Sequence, residues 1–206
     1  ANYAVASGWT TNAATNWNVA GTWTANAVPP TTQNLTTVNI GHSVTGNVDA
    51  IFTTLNINGT NTLNQNIGTT FTTTGGIAVN TGATYNMNGN LQINGGGFFA
   101  AGGTLNYGAG STLIYNSGGN YVASNEWTGS RVPVNVTLGN GANNSALTLN
   151  NAVYAMTGDL TFSNNTGAAI TMNAGGGTLT IGGNWTNNTT NAANFTSGGG
   201  TVILNG

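Results

Sequence analysis

Along most of the chain, apolar residues recur at every second position, most often with polar residues between them. Leu55-Asn56-Ile57, Ile77-Ala78-Val79, Tyr85-Asn86-Met87, Leu91-Gln92-Ile93, Leu105-Asn106-Tyr107 and Leu113-Ile114-Tyr115 follow this rule. It resumes in Val134-Asn135-Val136-Thr137-Leu138 and runs through Leu147-Thr148-Leu149, Leu160-Thr161-Phe162, Ile170-Thr171-Met172, Leu179-Thr180-Ile181 and Val202-Ile203-Leu204. A period of two predicts short strands with one buried face. No segment steps by three or four, so no helix longer than a turn is expected. Frequent Gly and β-branched Thr argue the same way.

The clearest unit runs from Gly177 to Asn188. A glycine turn, Gly175-Gly176-Gly177, comes first; Leu179 and Ile181 then share one strand face, and Thr178 and Thr180 the other. Gly182-Gly183-Asn184 leads on into Trp185 and an Asn/Thr run. The same grammar recurs from about Leu55 to Gly206. One such unit cannot bury its own apolar face, whereas a stack of them can. The predicted fold is therefore all-β: a right-handed parallel β-helix, or solenoid. The intervals between units are irregular and assign no strict period. A β-sandwich is the competing fold, because Asn58-Gly59, Asn88-Gly89 and Asn94-Gly95 carry the Asn-Gly hairpin signal. In a β-helix the same dipeptides turn corners between faces.

Two stretches depart from the pattern. Residues 1–45 hold Trp9, Trp17 and Trp23, then Pro29-Pro30 and the strand Val38-Asn39-Ile40. A stacked-coil protein must cover its first open coil, so this stretch reads as a Trp-rich N-terminal cap with the first coil. Residues 46–206 read as the β-helix repeats. Near 116–133 the grammar breaks: Asn116-Ser117-Gly118-Gly119-Asn120-Tyr121 leads to Glu126-Trp127 and Arg131-Val132-Pro133, a protruding loop or a junction between two blocks. Glu126 and Arg131 are candidates to pair across it.

Composition narrows the function classes. Only 2% of the 206 residues are charged, and Asn and Thr take over the solvating role. One basic side chain, Arg131, cannot neutralise a phosphate backbone, which excludes nucleic acid as a partner. No apolar run is long enough to span a bilayer as a helix. With no Cys there is no disulfide or thiolate metal site. The start at Ala1-Asn2-Tyr3, without Met, fits a processed, exported chain or a fragment, and avoidance of Lys and Glu suits an extracellular surface.

Candidate chemistry is sparse. His42 is the single histidine, and a functional histidine needs an orienting partner or a second ligand. The carboxylates Asp49, Glu126 and Asp159 are far apart in sequence, whereas glycoside cleavage normally uses a pair. No calcium loop or nucleotide fingerprint is present. No catalytic residue, metal site or cofactor is therefore assigned. A carbohydrate platform is the binding alternative, with Tyr121, Trp127 and Tyr154 as candidate ligand-binding residues; it requires exposed, coplanar rings. The runs Thr69-Thr70, Thr72-Thr73-Thr74 and Thr189-Thr190 raise a match to ice, which needs T-x-T rows in register on one face. Thr72-x-Thr74 and Thr178-x-Thr180 fit locally, but the repeats lack a regular T-x-T, so Thr reads as the solvent-facing half of each strand.

Gly8-Trp9, Trp17, Trp23, Val28-Pro29 and Val38-Asn39-Ile40-Gly41-His42-Ser43-Val44-Thr45 resemble the N-terminal start of large surface and secreted proteins of Bacteroidota. Gly158-Asp159-Leu160-Thr161-Phe162, Gly182-Gly183-Asn184-Trp185-Thr186-Asn187-Asn188 and Gly200-Thr201-Val202-Ile203-Leu204-Asn205-Gly206 are similar to that family's repeats. The resemblance covers most of the chain. It implies a right-handed β-helix, export by the type IX secretion machinery, and a non-enzymatic role as an adhesin or extracellular scaffold at the cell surface. Family members are usually much longer and end in a C-terminal sorting domain, so continuation past Gly206 is expected, with surface glycans or end-to-end self-association as the implied contacts. The resemblance carries no catalytic residues with it.

Overall fold

Side chains of period two bury a continuous core only if strands stack side by side in register. The computed structural model describes residues 8–24, 27–31, 34–94, 98–140, 144–150, 152–163, 169–190 and 194–206. Its first face runs β1 (Trp9–Thr10), β2 (Asn34–Ile40), β4 (Ala50–Ile57), β6 (Thr70–Val79), β8 (Asn90–Asn94), β11 (Thr112–Asn116), β13 (Asn135–Leu138), β16 (Leu160–Phe162) and β19 (Trp185–Asn187), hydrogen-bonded in that order, with β9 (Phe98–Ala101) on the second half of β6. A second face carries β3 (Val44–Gly46), β5 (Thr62–Gln65), β7 (Thr84–Met87) and β10 (Thr104–Tyr107). In the later coils two further ladders complete the circuit. One holds β12 (Asn120–Val122), β14 (Ser145–Thr148), β17 (Ile170–Asn173) and β20 (Phe195–Thr196); the other holds β15 (Val153–Met156), β18 (Thr178–Ile181) and β21 (Thr201–Leu204).

The named strand pairs are parallel, and the chain is a β-solenoid of about six turns. The sandwich alternative falls for that reason, since hairpins would pair neighbouring strands antiparallel. Asn58-Gly59 turns a corner instead, with Gly59 in the left-handed region at φ +63°. Gly89 packs its Cα against the Thr69 and Asn66 carbonyls, where a side chain has no room. Gly95 of the third dipeptide lies outside the described residues. Coil length explains the irregular spacing: Val38 pairs with Leu55, 17 residues on, Leu91 with Leu113, 22 on, and Leu160 with Trp185, 25 on. Corners lengthen while strands keep register.

Inward positions stack like on like. One column of the first face runs Ala50, Phe71, Leu91, Leu113, Val136, Leu160, Trp185, and the first six are buried. The second face was less legible, because its inward positions are not all apolar. In β5 the second inward residue is Gln65, fully buried, which accepts from the Tyr85 hydroxyl (2.6 Å) and donates to the Thr69 (3.0 Å) and Asn90 (2.8 Å) carbonyls. A buried amide satisfied this way avoids the desolvation penalty. Trp185, read as the head of an Asn/Thr run, instead opens strand β19. In the coil of β19–β21, Trp185, Phe195 and Val202 are half-buried, and Leu204 is exposed.

The three early tryptophans close the first coil. Trp9, Trp17 and Trp23 are buried; Trp17 and Trp23 meet edge to face at 4.8 Å, and Trp9 and Trp23 at 5.9 Å. Trp23 Nε1 donates to the Trp17 carbonyl at 2.8 Å. The backbone of this segment also pairs: Trp9 with Val38 of β2, and Asn16 with Thr45 of β3. Both faces thus gain an edge partner at the start of the stack, which is how solenoids protect an open edge. Trp17 reaches down the axis to Phe71, ring to ring at 5.1 Å. Gly46 is what lets Phe71 lie there, since a Cβ at Gly46 would sit 2.5 Å from the Phe71 ring.

Replacing Trp17 with Ala leaves a cavity bounded by Trp23 and Phe71. The expected loss is about 3–5 kcal/mol, read by urea unfolding. A change within about 0.5 kcal/mol, the range of ordinary surface substitutions, would show that Trp17 does not hold the cap to the core.

Candidate functional site

The break near 116–133 falls where the second-face ladder stops at β10 and the ladder of β15 begins. The connecting segment bridges the two. Tyr107 of β10 donates its hydroxyl to the Glu126 carbonyl, and Trp127 Nε1 donates to Ala155 of β15 at 2.8 Å. Trp127 meets Tyr154 edge to face at 5.6 Å, and Tyr115 lies 5.5 Å from Tyr121. An aromatic cluster therefore fills a gap that no strand fills.

This arrangement settles where the three ligand-binding candidates lie. Tyr121, Trp127 and Tyr154 are 7%, 0% and 4% exposed. They present no open ring to a sugar, and their rings meet at an angle rather than in one plane. The physical reasons differ: Tyr121 and Tyr154 are inward positions of strands β12 and β15, whereas Trp127 supplies buried area where the rung between β10 and β15 has no strand.

The expected pairing of Glu126 with Arg131 is replaced by separate partners. Arg131 donates to the carbonyls of Asn125 (2.8 Å) and Gly103 (3.1 Å), tying the segment to the preceding coil. Glu126 points inward and is fully buried. Its Oε1 accepts from the Tyr115 hydroxyl (2.9 Å) and the Ser124 N–H (3.1 Å), while Oε2 has no partner among the described residues. Burial pushes the Glu126 carboxyl above the usual glutamate range, and hydrogen bonding from Ser124 and Tyr115 offsets only part of this. Burial, reinforced by Glu126, also pushes the Tyr115 and Tyr107 phenols well up.

The other titratable candidates sit at corners and are engaged in holding them. His42 donates through Nδ1 to the Thr11 carbonyl at 3.0 Å, and its N–H bonds Thr11 Oγ1 at 2.8 Å, fastening the cap segment to the first corner. Asp49 accepts from the Thr70 N–H at 2.7 Å. Asp159 accepts from the Asn184 N–H at 2.7 Å. Among the described residues no group of three or more His, Cys, Asp or Glu is placed to hold a metal ion.

A regular polar surface lies elsewhere, on the second face. Thr62, Thr84 and Thr104 are register partners, as are Asn64, Asn86 and Asn106. Three successive coils therefore present the same outward row, Thr-x-Asn. The Asn file is locked by amide bonds between coils: Asn86 Nδ2 donates to Asn64 Oδ1 at 2.7 Å, and Asn106 Nδ2 to Asn86 Oδ1 at 2.8 Å. A notch of about 200 Å³, lined by neutral residues of the cap and by Ser43, Thr45 and Asn64, adjoins this face. The rows were missed in the sequence because their interval is 22 residues and then 20. Searching for T-x-N at the coil spacing rather than T-x-T would have found them. The T-x-T candidates fail on register: Thr178-x-Thr180 lies between Val153-x-Ala155 and Thr201-x-Ile203.

Fold and surface define the class of this molecule, a β-solenoid with a neutral Asn/Thr coat and an aromatic junction at mid-length. Set against protein-family models, curated proteins and solved structures, the chain matches none of them.

The junction carries its own pH dependence. Folded Glu126 keeps its proton to higher pH than unfolded Glu126. Its contribution to stability is therefore full below the ordinary value of 4.5 and is lost as pH rises through the raised folded value. The melting temperature should fall as pH rises above about 4.5, and Glu126→Gln, which keeps the shape without the charge, should flatten that fall. An unchanged slope in the variant would assign the pH dependence to other groups.

Proposed function

We propose that the chain is a non-enzymatic structural or adhesive module of a secreted or cell-surface bacterial protein, exported by the type IX secretion machinery. The observation that carries this reading is the use of the chain's few ionisable side chains. Asp49 and Asp159 cap corners through backbone N–H groups, His42 fastens the cap, and Glu126 is sealed in the junction. A polysaccharide-cleaving enzyme would need two of these carboxylates facing one groove. A stack with an engaged polar shell suits a spacer or scaffold instead. The resemblance of the Trp-rich start and the Gly-Asn-Trp-Thr repeats to Bacteroidota surface proteins supports the export route.

Surface shaving of intact cells of the native source with a protease should release peptides of this chain. Disrupting the type IX machinery there should retain the protein inside. Detection only after lysis, or delivery that is indifferent to that machinery, would overturn the proposal.

A further inference from the structure

The Thr-x-Asn rows of the second face form a lattice. Adjacent coils are about 4.8 Å apart, and the two outward files within a strand about 6.6 Å apart. Thr62-x-Asn64, Thr84-x-Asn86 and Thr104-x-Asn106 repeat this cell without a register shift. Both files are stiff. β-branching restricts the Thr side chains to few rotamers, and the amide bonds at 2.7 and 2.8 Å fix the Asn side chains. We propose that this face is an ice-binding surface, its hydroxyls and amides ordering water in the spacing of an ice crystal plane.

Three observations favour ice over other occupants. The rows are neutral, and both Thr hydroxyls and Asn amides donate and accept, as a lattice of water molecules requires. A charged side chain would instead hold its own hydration shell. The six outward positions contain no aromatic ring, so the stacking planes that recognise crystalline polysaccharides are missing from these rows. Finally, each contact is weak, but a rigid array makes them together and without an ordering cost at binding. The inference rests on strand register and not on the export reading.

The test is partition of the purified chain into slowly growing ice, together with thermal hysteresis and inhibition of ice recrystallisation. The wild-type chain should enter the ice and restrain its growth. Thr84→Tyr, at the centre of the Thr file, should abolish both effects while melting temperature and circular dichroism stay unchanged. Thr180→Tyr, an equivalent outward position on the ladder of β18, should retain them. Thr104→Tyr, at the exposed last row, replaces Thr84→Tyr if that variant unfolds. Exclusion of the wild type from ice would overturn the proposal, even if the chain adsorbed to cellulose or chitin. So would an active Thr84→Tyr, or an equal loss in Thr180→Tyr.

Discussion

The structure depends on parallel, in-register hydrogen bonding between successive coils. Strand N–H and C=O groups point along the solenoid axis, so each coil satisfies its backbone only through the coil before and the coil after it. Like therefore stacks on like. The apolar column from Ala50 to Leu160 and the ladder Asn64–Asn86–Asn106 are two readings of one register. The same constraint sets the corners. Where coils pass within contact of each other's carbonyls, as at Gly89, only a residue without a Cβ fits.

In-register stacking also accounts for the unusual composition. A charged residue repeated at one outward position would meet its copy about 4.8 Å away on the next coil, where like charges repel. Asn does not suffer this, because an amide donates to its copy on one side and accepts on the other. Thr offers a hydroxyl and a β-branch that favours the strand. With 2% charged residues the chain keeps a polar surface and avoids the repulsion that its own symmetry would impose. Its acidic side chains fall outside the outward rows: two at corners, one in the junction.

The junction shows what happens where stacking fails. Without a strand to continue from β10 to β15, the segment holding Glu126 and Trp127 crosses the gap, and rings from both sides close around it. The result is a buried polar cluster: a carboxyl, tyrosine hydroxyls and an indole N–H among aromatic rings. Burial there is stabilising only while the carboxyl remains neutral, which gives a sparsely charged scaffold a group that responds to pH.

Period two, the L-x-I pairs and the glycine exits were enough to read strands and an all-β stack directly, because burial of alternate side chains is a local constraint. Strands such as β5 and β19 stayed hidden, because Gln65 and an Asn/Thr run took places where an apolar partner was expected. The ring residues Tyr121, Trp127 and Tyr154 could be located but not oriented, and the same holds for Glu126 and Arg131. The Thr-x-Asn rows were present in the sequence throughout, yet their alignment depends on corner lengths that vary from coil to coil. Amino-acid order determined which side chains alternate and what each strand would bury. Only the tertiary structure decided which residues from different coils become neighbours, because that follows from register, and register is set by backbone pairing between segments some 20 residues apart.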